Sequence, residues 1–188
     1  MNYAPEVQKN HKRRIENQFY EKYMSGRGVD IGYRGENNGN PVLYSIGIDR
    51  DTPNYDGKTL PFQPNELDYV FSSHCLEHLN NPAEYIKEWY QKTKLNGYII
   101  IIVPHQHLYE KKQSKPSRYN ADHKTFYTPA ILLQQVEEAL KPNTYRVRHL
   151  IDNYENYSYE IPPEIHASGS YEIELVLQKI KEPEWEIK

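Results

Sequence analysis

The stretch that most constrains the fold spans residues 60–104, LPFQPNELDYVFSSHCLEHLNNPAEYIKEWYQKTKLNGYIIIIVP. Residues 67–72 (LDYVFS) form a short apolar run suited to a buried strand. Asn80 or Asn81 can cap a helix whose first turn holds Pro82, a position where proline loses no hydrogen bond. Tyr85, Ile86, Trp89 and Tyr90 then recur at helical spacing, and Gly97 precedes a continuous apolar strand over 98–103. Two buried strands joined by an amphipathic crossover make a βαβ unit, and such units build parallel sheets. Open sheets of this kind bind ligands at the carboxyl ends of their strands. Those ends carry Ser72, Ser73 and His74 in one case and Pro104 and His105 in the other.

Upstream, residues 28–32 (GVDIG) read as a strand ending in a glycine turn, and residues 42–48 as a second strand ending at Asp49. Residues 50–66 hold three prolines and little periodicity, which predicts loop with at most a stub of strand. Residues 6–24 read as a polar helical lead-in with Val7, Ile15, Phe19 and Tyr23 as apolar positions. Its KNHKRR cluster reads as a solvated face. Thr128 and Pro129 open a helix striped by Ile131, Leu132, Val136 and Leu140. Residues 145–151 and 171–179 alternate as an antiparallel pair at the sheet edge should.

The chain of 188 residues is predicted to form one domain, with residues 1–25 as lead-in and 105–127 and 152–170 as long ligand-side loops. Loops of that length usually carry function, and these are expected to close over a substrate. The net charge of −3 gives no general reason to bind nucleic acid or a membrane surface. No apolar run is long enough to span a bilayer. The single cysteine, Cys75, excludes an intrachain disulfide and suits a reducing compartment. A cytoplasmic location is the expectation.

Gly32 lets backbone approach a nucleotide-like ligand, and Asp49, seventeen residues on, is placed to accept the hydroxyls of a ribose. The full order is strand-D-x-G, strand-D, LPF-x(5)-D-x-V-x(5)-LEHL, helix, N-G, apolar strand, P-H. This resembles the class I S-adenosylmethionine-dependent methyltransferases, in particular a small branch whose fourth strand runs into an LEHL segment. The likeness covers residues 29–104. It implies a Rossmann-like α/β fold: a mostly parallel sheet of seven strands, helices on both faces and an antiparallel C-terminal pair.

It also implies a cofactor, S-adenosylmethionine, and site roles. Asp30 and Gly32 would line the cofactor's amino-acid end, Asp49 would hold the ribose, and Asp56 and Leu60 would meet the adenine. Ser72, Ser73 and His74 would form the floor near the sulfonium. Leu76, Glu77 and His78 would be structural at the helix entry. The chain departs from the family in three places. Arg34 stands where a second glycine belongs, residues 36–41 read as loop where the family has a helix, and little room is left between Asp49 and Asp56. Either Gly35 compensates by a shift of one residue or Arg34 keeps its side chain clear.

An alcohol acceptor gains from a general base, and histidine suits that role near neutral pH. His105, His123 and Asp122 are the catalytic candidates, and His107, Arg118, Tyr119 and His166 the substrate-binding ones. Spacing of His105 and His107 with Asp122 and His123 matches no specific metal motif, and no metal is assigned. The predicted reaction is methyl transfer to a small polar acceptor, most plausibly a hydroxyl of a sugar or glycan precursor, by an O-methyltransferase. Two other readings stand beside it: a non-catalytic binding or scaffold protein of the same fold, and a nicotinamide-dependent oxidoreductase or epimerase. The second lacks the full G-x-G-x-x-G. The oligomeric state is left open.

Overall fold

In the computed structural model, residues 3–35 and 39–185 are described. The elements run α1 (Pro5–Glu16), α2 (Phe19–Tyr23), β1 (Gly28–Ile31), β2 (Ile46–Ile48), β3 (Leu67–Ser73), a 3₁₀ turn (Leu76–His78), α3 (Pro82–Lys92) and β4 (Thr93–Pro104). A single π-turn (Gln106–Glu110), α4 (Pro129–Ala139), β5 (Tyr145–Asn153) and β6 (Glu172–Lys179) follow. The strands form one sheet in the order β2-β1-β3-β4-β6-β5. β2, β1, β3 and β4 pair in parallel, whereas β6 runs antiparallel to both β4 and β5.

The fold class is as expected, with six strands among the described residues in place of seven. The shortfall lies between β2 and β3, where residues 49–66 are turns. β2 is also shorter than the predicted 42–48. Val42 is buried and gives its N–H to the Asp30 carboxylate at 2.9 Å, so the chain turns through Leu43, at φ 45°, before pairing begins. Of the predicted loop at 36–41, residues 36–38 lie outside the described residues. Among the described residues no helix stands between β1 and β2. β4 starts earlier than expected, because Thr93 already pairs with Leu67 before a register shift. Gly97 lies at that shift, and a Cβ there would fall 2.6 Å from the Asp68 carbonyl oxygen.

Alternation along the strands makes two cores. Val29, Val70, Ile99, Ile101, Ile173 and Leu175 face α3 and α4, where Ile86, Trp89, Leu132 and Val136 complete the packing. Phe71, Ile100, Ile102 and Val176 face the other way, against Val7, Phe19, Tyr20 and Tyr23 of the N-terminal helices. Thr128 caps α4 by accepting the Ile131 N–H at 3.3 Å.

The lead-in departs from its predicted pattern. Gln18 takes a left-handed φ of 53° and breaks the helix in two. Ile15 is 48% exposed, while Arg14 and Asn10, part of the supposedly solvated cluster, are buried. The reason lies across the interface, where β6 presents Glu172 and Glu174 to this face. Arg14 Nη2 donates to Glu172 Oε2 and to Glu174 Oε1, both at 2.9 Å. Asn10 donates to Glu172 Oε2 at 2.6 Å, and Arg13 also reaches Glu174. Burial alone would raise the Glu174 carboxyl, but His149, Arg14 and Arg13 hold it down to about 2. Removing one member of a buried ion cluster strands the others. Arg14→Ala is expected to cost about 3–5 kcal/mol in urea denaturation, against under ~0.5 kcal/mol for Lys12→Ala in the exposed Lys12–Glu16 pair. Equal costs would show that the cluster does not hold the helix down.

Candidate active site

The carboxyl ends of β1, β2 and β3 open onto a cleft of about 730 Å³, a size usual for small-molecule sites. Gly32 forms its inner edge. Its N–H bonds the Ile48 carbonyl at 2.8 Å, and its φ is 81°. A Cβ on it would sit 2.8 Å from Cys75 Cβ, so only glycine fits both the turn and the contact. Arg34 adopts a φ of 67°, the conformation a glycine would take, which preserves the path of the turn. Its exposed side chain lines the cleft. Asp49 borders the same cleft at the end of β2, with Oδ1 accepting the Arg50 N–H at 2.7 Å.

The far side is lined by Tyr55, Asp56, Lys58, Leu79 and Tyr85. Asp56 closes its own turn by accepting the N–H groups of Lys58 and Thr59. Leu60 is not in the cleft: it is buried in the core, and its N–H bonds Glu88 at 3.0 Å. Asp30 does not line the cleft either. It lies beneath the turn and pins Val42, and Ser72 is fully buried behind it in β3.

A second pocket of about 260 Å³ adjoins the first, and both are lined by Gly32, Arg34, His74 and His78. Ser73, Glu6, Glu77, Tyr109, Asn120 and His123 form its polar walls, and Ala4, Pro5 and Val7 add an apolar side. His74 ends β3 in a left-handed φ of 52°, its N–H bonded to Ile102. That turn aims Nε2 at Glu172 Oε1, 3.0 Å away. Burial disfavours the charged ring, but Glu172, Glu77 and Glu6 outweigh burial and raise its pKa. These carboxylates favour the charged form of the ring.

The 3₁₀ turn places Glu77 under this pocket, and the Glu77 carbonyl accepts the N–H groups of Lys124 and Thr125, which brings His123 alongside. His123 Nδ1 bonds Glu110 at 2.6 Å, and His78 Nδ1 bonds Asp122 at 3.2 Å. Burial lowers the pKa of His78. Asp122, exposed, sits at the rim of the cleft.

The other predicted residues lie elsewhere. His105 is buried, its backbone bonded to Tyr171 and its Nε2 3.3 Å from Asp152, so it lines neither pocket. Burial lowers its pKa. His107 faces a separate surface cleft with Lys111 and Tyr159. Tyr119 and His166 meet edge to face, with ring centroids 4.9 Å apart, between the two long loops, and Tyr119 Oη donates to the Ile165 carbonyl at 2.8 Å. Arg118 is exposed and lines neither pocket. Glu77, His78, Glu110 and Tyr109 were missed as ligand-side residues. The first two stand within the LEHL segment, but nothing in the spacing joins them to His123.

Residues 47–101 match the family model described as a methyltransferase domain. A methyltransferase from Aquifex aeolicus, described as S-adenosylmethionine-dependent, superposes with a TM-score of 0.59 at 13% identity, over 94% of each chain. One from Archaeoglobus fulgidus gives 0.56 at 17% identity, over 93% of this chain and 97% of that one. The fold is that of the class I methyltransferases. The [4+2]-cyclase SpnF shares it too, with a TM-score of 0.56 at 12% identity over 89% and 80% of the two chains. No curated protein matches the chain significantly.

Within this methyltransferase fold, Asp30 carries a measurable pH signature. Burial lifts its carboxyl from 3.8 to about 7 despite the Val42 N–H bond, with Asp49 adding to the rise. A raised folded-state pKa stabilises the fold below pH 4, and that contribution is lost as pH rises to about 7. Asp30→Asn keeps an acceptor for Val42 and removes the titration. The variant is expected to show a flatter stability curve over this range and a higher urea midpoint than the parent at pH 8. Parallel curves would contradict the burial argument.

Proposed function

We propose that the protein is an S-adenosylmethionine-dependent methyltransferase that methylates a hydroxyl of a small polar acceptor, a sugar or glycan precursor. The observation that carries this reading is the meeting of two pockets at Gly32, Arg34, His74 and His78. One pocket has the glycine turn and ribose-type acid of a nucleotide site, and the other is walled by tyrosine, asparagine, histidine and carboxylate. The cofactor fits what is present. Gly32 lines the cleft without a side chain, which suits close approach to its backbone, and Asp49 has Oδ2 to offer a ribose. When bound, the cofactor supplies an electrophilic methyl group on a sulfonium.

The chain's own contribution is alignment and proton removal. Asp49, Tyr55 and Gly32 would orient one partner, and Tyr109 and Asn120 the other, so that proximity supplies much of the rate. An acceptor hydroxyl must lose its proton, and His123, held by Glu110 and facing the second pocket, would take it. The asparagine, histidine, tyrosine and carboxylate groups of the second pocket offer the hydrogen bonds that a carbohydrate acceptor needs. Of the three features that favour the scaffold reading, Arg34 follows the path of a glycine, while the lack of a helix after β1 among the described residues and the short segment after Asp49 stand.

Isothermal titration with S-adenosylmethionine, S-adenosylhomocysteine and NAD tests the reading. The two sulfur compounds are expected to bind and NAD is not. Asp49→Ala should weaken binding about 10- to 100-fold, the worth of hydrogen bonds to a charged group, and Gly32→Ala should abolish it. Binding of NAD, or unchanged affinity in Asp49→Ala, would overturn the assignment.

A further inference from the structure

Beneath the second pocket lies a cluster that proton transfer alone leaves unexplained. Glu77 is fully buried, yet among the described residues neither of its carboxylate oxygens has a hydrogen-bond partner. A buried carboxylate without a partner is costly. The nearest groups are imidazole nitrogens: His74 Nδ1 and His78 Nε2, each at 3.7 Å, and His123 Nε2 at 3.9 Å from Glu77 Oε1. All three separations are too long for hydrogen bonds, and the His74 ring is already engaged by Glu172. Two ligands of one tetrahedral ion, each bonded at about 2.0–2.1 Å, stand about 3.4 Å apart. The three donor atoms, one from each residue, lie within 4.8 Å of one another.

The outer contacts agree. Asp122 holds His78 Nδ1 and Glu110 holds His123 Nδ1, the carboxylate–histidine arrangement that directs the opposite nitrogen at a metal.

We propose that Glu77, His78 and His123 bind a divalent transition-metal ion at the floor of the acceptor pocket. Two imidazoles and one carboxylate suit zinc, cobalt, nickel or iron(II) better than magnesium or calcium. Three protein ligands leave a coordination position open towards the pocket. An ion there polarises an oxygen bound to it and eases loss of its proton. With the ion in place, His123 assists proton loss as a ligand rather than by accepting the proton itself. The use of the ion on an acceptor rests on the methyl-transfer reading; its binding does not.

The test is titration of the chelator-treated chain with cobalt(II), followed by visible absorption, with magnesium as control. One equivalent is expected to bind, with no response to magnesium. Glu77→Gln and His123→Ala, checked for folding by circular dichroism, should weaken binding about a hundredfold. Asp122→Asn, at an exposed position, should weaken it about tenfold. His107→Ala, outside the site, should bind as the parent does. Absence of cobalt binding, or equal binding in Glu77→Gln and Asp122→Asn, would overturn the proposal. Titration of the metal-free chain with S-adenosylhomocysteine separates the two claims. Binding of S-adenosylhomocysteine without cobalt binding sinks only the metal site, and the reverse sinks only the methyl-transfer reading.

Discussion

Glu172, almost wholly buried at the start of β6, is bonded in two directions at once. Its Oε2 receives Arg14 and Asn10 from the first helix, while its Oε1 receives His74 from the end of β3. One carboxylate thereby fastens the N-terminal helix across the sheet and fixes the residue from which the site is built. The cost of burying this charge is offset by the Arg14 guanidinium and by the hydrogen bonds with Asn10 and His74. The same helix brings Glu6 to the second pocket, where Tyr171 donates to it at 2.8 Å. Docking of the helix and shaping of the pocket are one event.

From His74 the chain enters a tight sequence of constraints. The left-handed residue and the 3₁₀ turn put Cys75 against Gly32 and Glu77 below the pocket. Burial, with Glu77 and Asp49 nearby, pushes the Cys75 thiol up to about 12, so it stays neutral and serves as packing. The two long loops close the other side. Tyr157 Oη donates to the Leu108 carbonyl at 3.0 Å, and Tyr109, Tyr119, His166 and Tyr171 pack edge-on or tilted against one another. Tyr109 carries that packing to the His123 ring, 5.2 Å away. The loops therefore support the pocket through aromatic contact before any substrate arrives.

Much of the sheet was legible because its signals are local. The apolar runs of β3 and β4, the proline and asparagine before α3 and the Thr128 cap each act within a few residues. What could not be read depends on partners distant in sequence. Arg14 looks solvated until Glu172 and Glu174 are placed against it. His105 looks ligand-facing by order along the chain, but its backbone pairing turns it towards Asp152. Gly32 and Asp49 fall on the cleft because a strand end dictates them, whereas Glu77 and His123 meet only through the carbonyl contacts of Glu77 with residues 124 and 125. Leu60 sits in the core, its N–H held by Glu88 of α3, a partner 28 residues on.

The account rests on two adjoining sites joined at His74 and His78. The most direct measurement is a crystal structure grown with S-adenosylhomocysteine and cobalt(II), with anomalous data collected at the cobalt edge. The account predicts a ribose against Asp49 and an anomalous peak between Glu77, His78 and His123. A nucleoside bound away from Asp49, with no peak at Glu77, would contradict it.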